Sequence, residues 1–355
     1  MKTLKKILKA LLILVIVLLV LVGGLLTWLT IVEYKPEDTE VVPVQTVGGQ
    51  AKSLAAGDSV KFVAWNIGYG ALGDNADFFM DGGKMVYTGD EARVMANMDN
   101  IVSEIKAQDP DILLLQEIDL DSSRSRHVNE TLYFDGLGFN NMAFANNFRV
   151  EFFPIPVPPY GHIDSGIATY SSYPTTSATR VQLPCPFTWP IRTFNLKRCL
   201  LITRIPVEGG KELVIVNLHL EAYDDGEGKA AQAEMLMGIL NEETAKGNYV
   251  IAGGDFNQTF SNIADNFPVY PEQWQPADMD VSPYEADWQF LMSSDIASCR
   301  SLYAPLEGND PNSLQYYIID GFIVSSNIRV DSYEIVDLGF ESSDHNPQVL
   351  NITLE

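Results

Sequence analysis

Seven short apolar runs constrain this chain more than any other feature: FVAWN (62–66), ILLLQE (112–117), GIATY (166–170), LLITRI (200–205), LVIVNLHL (213–220), YVIAGGDFN (249–257) and YIIDGFIV (317–324). Several lack polar alternation, as expected of strands buried on both faces. Two amphipathic helices interleave with them. Thr88 and Glu91 have the spacing of a capping box ahead of Met95, Met98, Ile101, Val102 and Ile105, and that helix is expected to end before Asp109-Pro110. A second is expected from about Lys229, with Met235, Leu236, Ile239 and Leu240 on one face, stopping at Gly247. Together these predict a large α/β sandwich: two packed sheets with helices on their outer sides.

The N-terminal segment obeys a different rule. Leu11–Val32 is 22 residues without a charge, long enough to cross a bilayer as a helix. Lys2, Lys5, Lys6 and Lys9 precede it, and Glu33, Glu37, Asp38 and Glu40 follow. The positive-inside rule then places the N-terminus in the cytoplasm and the body outside. A cleaved signal peptide is the rival reading, disfavoured by the length of the run and by the lack of an Ala-x-Ala site after it. The expected division is a stub and transmembrane anchor over 1–32, a polar linker over 33–57, and one domain over 58–355.

Composition narrows the classes further. With 46% apolar and 10% aromatic residues, the chain can build a large core and is not disordered. Three cysteines are too few for a disulfide scaffold, and four histidines exclude a His-rich metal site. Setting aside the four leading lysines leaves 19 basic residues against 47 acidic ones. Such a body repels polyanions at long range, although a bound cation changes the local field. A pair Cys185–Cys199 is left open by the spacing, with Cys299 then free.

Burial alone would not select the polar residues that these runs end in or carry. They are Asn66, Gln116 and Glu117, Asn217 and His219, Asp255 and Asn257, and Asp320, followed near the C-terminus by Ser343-Asp344-His345-Asn346-Pro347. Strand ends gather on one rim of a sheet, so the set can converge.

In this order, WNIGYG (65–70), LLQEID (114–119), DSGIATYSSYP (164–174), NLHL (217–220), GGDFN (253–257), YIIDGF (317–322) and SDHNP (343–347) resemble the endonuclease/exonuclease/phosphatase superfamily of metal-dependent phosphoesterases. The resemblance implies a four-layer α/β/β/α sandwich of two mixed sheets, preceded here by the transmembrane helix. It implies Mg²⁺, or Mn²⁺ in its place, held by Glu117 with Asn66 and Asp344. Asp255 would orient or deprotonate the attacking water, and Asn257 would hold it. His345 would bind the phosphoryl oxygens with Asp320 fixing its tautomer, and His219 would serve as leaving-group acid or second phosphate donor. Asn66 and Asn217 would touch the substrate, and Asp164 would orient His219. Arg124 and Arg126 follow QEID closely and read either as a second phosphate or polyanion site or as solvated surface residues. His127 and His162 read as surface residues.

A phosphoester is therefore the expected substrate. The anchor and the acidic body favour a lipid-linked or small phosphodiester, with nucleic acid as the alternative. An inositol-phosphate phosphatase would want more basic residues, and the complete polar set argues against a silent binding module. Tyr270, Trp274, Tyr284, Trp288 and Tyr303 are either a cleft wall or ordinary packing, and 151–162 (EFFPIPVPPYGH) is a candidate apolar lip. Beyond the membrane itself, no protein partner is evident.

Overall fold

The computed structural model describes residues 2–224 and 226–355. Helix α1 (Lys2–Val32) is solvent-exposed over most of its length. Next come β1 (Thr39–Val42), β2 (Val44–Thr46), β3 (Ser59–Asn66), helix α2 (Glu91–Gln108), β4 (Ile112–Asp119), β5 (Asn141–Phe153) and β6 (Gly161–Ser171). They are followed by β7 (Ser177–Gln182), β8 (Cys199–Val207), β9 (Lys211–His219), helix α3 (Glu227–Ala245) and β10 (Tyr249–Asp255). Short strands β11 (Gln258–Phe260) and β12 (Ala277–Met279) precede β13 (Trp288–Leu291), β14 (Cys299–Arg300) and β15 (Tyr316–Tyr317). The chain closes with β16 (Asp320–Ser325), β17 (Ile328–Ile335) and β18 (Gln348–Leu354).

Two seven-stranded sheets face each other, ordered β1-β7-β8-β9-β10-β16-β13 and β17-β18-β3-β4-β6-β5-β2. In each, one central pair is parallel, β9/β10 and β3/β4, between antiparallel neighbours. Side-chain alternation explains the unbroken apolar runs. In β3, Phe62 and Ala64 pack between the sheets, while Val63 and Trp65 pack outward under Met98, Ile101 and Ile105 of α2. In β10, Ile251 packs inward, while Val250 and Ala252 pack under Leu236, Met237 and Leu240 of α3. Both faces are apolar because each has its own partner layer. The result is the expected order of helix, sheet, sheet, helix.

Local details depart from expectation in two places. Asp90, rather than Thr88, caps α2 by accepting the Arg93 backbone N–H at 2.9 Å. Thr88 instead donates its hydroxyl to the Ala71 carbonyl at 2.6 Å. The second departure is the segment expected as a linker. There β1 pairs with β7 at the edge of one sheet, and β2 pairs with β5 at the edge of the other. Pro43, which has no N–H for a ladder, stands where the chain changes sheets. Val42 and Val44 pack against Ala143, Ala145, Ala178 and Leu201, so two valines hold an otherwise polar stretch in place.

Candidate active site

The parallel strands deliver the polar residues to one rim, as the carboxyl ends of such strands commonly do. Asn66 ends β3 beside Gln116 of β4. On the facing sheet His219, Asp255 and Asp320 stand side by side across β9, β10 and β16. Glu117 reaches the rim through a bulge: the β4/β6 register slips between Leu115 and Ile118, and Glu117 takes φ +52°. A bulge of this kind re-aims a side chain without ending the strand. Gly68 turns the chain after β3 at φ +53°, and a Cβ there would lie 2.9 Å from Asp344 Oδ1. Only glycine lets that loop approach Asp344 so closely.

Asn66 is the hub. Its Nδ2 lies 3.0 Å from Asp255 Oδ2, 3.3 Å from Glu117 Oε1 and 3.4 Å from His345 Nε2. Its Oδ1 accepts the Gly68 N–H at 3.1 Å. Asp255 Oδ1 accepts the Asn257 backbone N–H at 2.8 Å, and His219 Nε2 lies 3.3 Å from Asp255 Oδ2. The Asn257 side chain lines the cleft and donates to the Leu220 carbonyl at 2.9 Å. His345 Nδ1 sits 2.9 Å from Asp320 Oδ2.

Electrostatics separates the two histidines. Burial alone would discharge His345, but Asp320, with Cys299 and Asp344 nearby, overrides it and holds the imidazole well above its usual range. Burial first, and the Arg198 guanidinium second, hold His219 well below its usual range. His345 is therefore charged and His219 neutral at pH 7. Burial, reinforced by Asp320, raises Asp255 to about 7, and burial raises Asp344 to about 6.

The donor set suits a hard divalent cation. Asp344 Oδ1 is buried without a hydrogen-bond partner among the described residues, beside the Gly68 turn, and the Glu117 side chain is partly open to the cleft. Asn66 turns its Nδ2 to Glu117 and gives its Oδ1 to the Gly68 N–H, so the expected amide ligand is not presented here, and the two carboxylates are the oxygen donors whose negative charge a cation would relieve. The tightest clusters, Asp255/Asp320/His345 and Cys299/Asp344/His345, lie within 4.8 Å. Both depend on His345, whose Nδ1 is already committed to Asp320, so the oxygen set fits Mg²⁺ better.

Other expected site residues lie elsewhere. Asn217 is fully buried between the sheets, donating to the Leu115 and Ala168 carbonyls at 3.2 and 2.8 Å and accepting from Gln116 Nε2 at 2.8 Å. It braces the sheets and does not face the cleft. We expect Asn217→Ala to cost about 1–3 kcal/mol of stability in urea denaturation, because partners are left unsatisfied, with KM of the folded fraction preserved. Arg124 lines the cleft, but its guanidinium is paired with Asp119 at 2.9 and 3.1 Å and lies 3.8 Å over the Tyr69 ring. Arg126 is remote from the site: it bonds the Gly89 carbonyl and stacks on Tyr87. Asp164 accepts from Asn146 and does not touch His219, whose Nδ1 has no partner among the described residues. His127 and His162 pair with surface carboxylates of Asp121 and Glu151. Cys185, Cys199 and Cys299 are free thiols, so the pairing left open by spacing is not formed.

The cleft spans about 1000 Å³ of space, part of it continuous with solvent. Phe153 and Tyr160 of the expected lip line it, and so does Trp274. Trp288 and Tyr284 pack instead into the core beneath α3. Sequence reasoning missed Tyr69, Arg198 and the pair Asp81–Tyr223, whose phenol donates to the carboxylate at 3.0 Å. Desolvation pushes Asp81 up to about 7. Tyr69 lies within WNIGYG but was given no role there, and no motif marked the other three, which arrive from loops or ordinary strand edges.

Comparison with known proteins agrees with this geometry. A family model described as the Endonuclease/Exonuclease/phosphatase family matches residues 63–345. An endonuclease/exonuclease/phosphatase from Beutenbergia cavernae superposes with TM-score 0.57 at 18% identity, covering 83% of this chain and 72% of that one. TDP2 from C. elegans gives 0.52 at 16%, covering 84% and 76%. D. rerio TDP2 complexed with single strand DNA product gives 0.50 at 14%, covering 83% and 99%. No protein of curated function matches in sequence. These identities speak to the fold alone, whereas the family match extends from β3 to the His345 motif. The chain belongs to the endonuclease/exonuclease/phosphatase family of metal-dependent phosphoesterases.

Proposed function

We propose that this chain is a membrane-anchored, extracytoplasmic phosphodiesterase that works by in-line attack of water with Mg²⁺ bound. The observation that carries the reading is the convergence of Glu117, His219, Asp255, Asp344 and His345 on one cleft, with Asn66 and Asp320 hydrogen-bonded behind them. Glu117 and Asp344 would hold the cation, and Asn66, donating from Nδ2 to Glu117 and Asp255, would steady both carboxylates. When bound, it supplies positive charge to the phosphoryl and leaving oxygens. Asp255, fixed by the Asn257 N–H and by Asn66, takes the proton of the attacking water. Charged His345 donates from Nε2 to a non-bridging oxygen, and Asp320 keeps it charged and aimed. Neutral His219 serves better as a second hydrogen-bond donor to the phosphoryl group than as the acid.

The anchor reading rests on α1, an apolar helix whose 18-residue hydrophobic window has no burial in the body. The catalytic unit then starts before residue 58, because β1 and β2 belong to its sheets. A lipid-linked or small diester is favoured by a net charge of −24 and by a cleft walled with Phe78, Phe148, Phe153 and Leu196. The nuclease reading draws on the single strand DNA product in D. rerio TDP2, which shares the fold.

One panel decides between them. The full chain in detergent is offered phospholipid vesicles, a chromogenic phosphodiester, inositol phosphates, RNA and DNA, with Mg²⁺ and with chelator. Metal-dependent hydrolysis of lipid or small diesters with nucleic acid intact is the expected result. Rapid cutting of DNA or RNA would replace it with the nuclease reading.

A further inference from the structure

The outer end of α1 is built into the catalytic body. Leu29 is buried in one apolar cluster with Phe148, Phe153, Tyr160 and Phe194, and Leu25 packs against it. Trp189 Nε1 donates to Thr30 Oγ1 at 3.1 Å. Glu33, the first residue past the helix, is buried and paired with Arg192 at 3.0 Å and Lys197 at 3.4 Å. The helix thus leaves the body in a fixed direction instead of through a slack tether.

Large apolar side chains stand exposed around this junction. Ile155 is 51% exposed, Val157 93%, Trp189 55% and Ile191 42%. Ile155 and Val157 lie in the β5–β6 connection, just past Phe153, whose ring shares a cluster with Leu29. Ile191 opens the turn over 191–194 that packs on α1, and Trp189 lies just before it. Single exposed apolar residues are ordinary, but four around the root of a hydrophobic helix are a patch that water alone does not favour. The 22 uncharged residues of α1 rise about 33 Å, against about 30 Å of hydrocarbon, which brings their outer end, the level of Thr30 and Trp189, to the headgroups. Tryptophan prefers that boundary.

Resting on the reading of α1 as an anchor, we propose that this rim sits in the interface of the bilayer that holds α1. The cleft, whose wall includes Phe153, Tyr160 and Leu196, then opens at the membrane surface. A diester held in the bilayer enters it without fully leaving the lipid.

The full chain in phosphatidylcholine nanodiscs tests this. In a Cys185→Ser background, Val157→Cys and Glu242→Cys each carry an environment-sensitive dye. Glu242 is exposed near the end of α3 that feeds the start of β10, opposite the rim of Asp255. Co-elution with the nanodisc reports the anchor, and failure to co-elute removes both the anchor and the proposal. With co-elution, the Val157 dye is expected to shift to the blue and lose most of its emission to spin-labelled lipids, while the Glu242 dye does neither. A polar, unquenched dye at Val157 overturns the proposal while leaving the anchor standing. A blue shift without lipid quenching also overturns it, since a second copy of the chain would then cover the rim.

Discussion

Turnover by His345→Gln is expected to fall about 10²–10⁴-fold, with the fold retained, because the variant keeps a donor for Asp320 but loses the charge facing the phosphoryl oxygens. The partner experiment is Asp320→Asn. Its side chain never reaches the substrate, so a loss nearer 10–100-fold is expected, as for groups that act through the residue they orient. What separates positioning from packing is the pH profile. Asp320 outweighs the burial that would otherwise discharge His345. Without that carboxylate the imidazole loses its proton at lower pH, and the alkaline limb of kcat/KM moves towards neutrality. An Asp320→Asn enzyme that is slower but keeps the wild-type profile would deny Asp320 this role. A His345→Gln enzyme near the wild-type rate would remove His345 from the chemistry.

Chelation is the second large effect. Turnover is expected to drop by about 10³-fold or more and to return with Mg²⁺ or Mn²⁺, since the cation supplies several kcal/mol of charge stabilisation. Stability gives an independent readout. Burial raises Asp255 to about 7 and Asp344 to about 6, whereas an unfolded chain releases such protons near pH 4. The metal-free folded state therefore binds these protons more tightly than the unfolded state does. Their contribution to stability is present at low pH and is lost as pH rises from about 4 through about 7. A cation takes the place of the missing protons, so Mg²⁺ should raise the melting temperature more at pH 8 than at pH 5. Full turnover in chelator, with no Mg²⁺ shift at pH 8, would contradict the metal centre.

The layers of this protein were legible because each unbroken apolar run has a partner on both faces. The gathering of the site residues was legible where a strand end carries a polar side chain: Asn66, His219 and Asp255 close their strands and Asp320 opens its own, and their joint order, rather than periodicity, singled them out. Glu117 needed a bulge to reach the rim, which only its motif foretold. Asn217 misled because a strand amide two places before a cleft residue shares that residue's face yet sits deeper, between the sheets. Arg126 misled because loop proximity to QEID says nothing about direction. The β1 and β2 strands were hidden because polar edge strands need only an occasional valine inward. Asp81 and Tyr223 carry no local pattern; they meet only through tertiary folding.

The division of polar residues between the sheets has a mechanical consequence. Asn66 and Glu117 ride on one, while His219, Asp255 and Asp320 ride on the other, so on the proposed mechanism the two act as the jaws of a caliper set to the width of a phosphoryl group. Its setting is determined by the apolar filling between the jaws, Phe62, Leu114, Ile251 and Phe322 among it. A shift of about 1 Å in a reacting geometry can cost about 10²-fold in rate. Swapping one filler for another of different girth can thus disarm the enzyme from far away, with every polar group intact and the chain still folded.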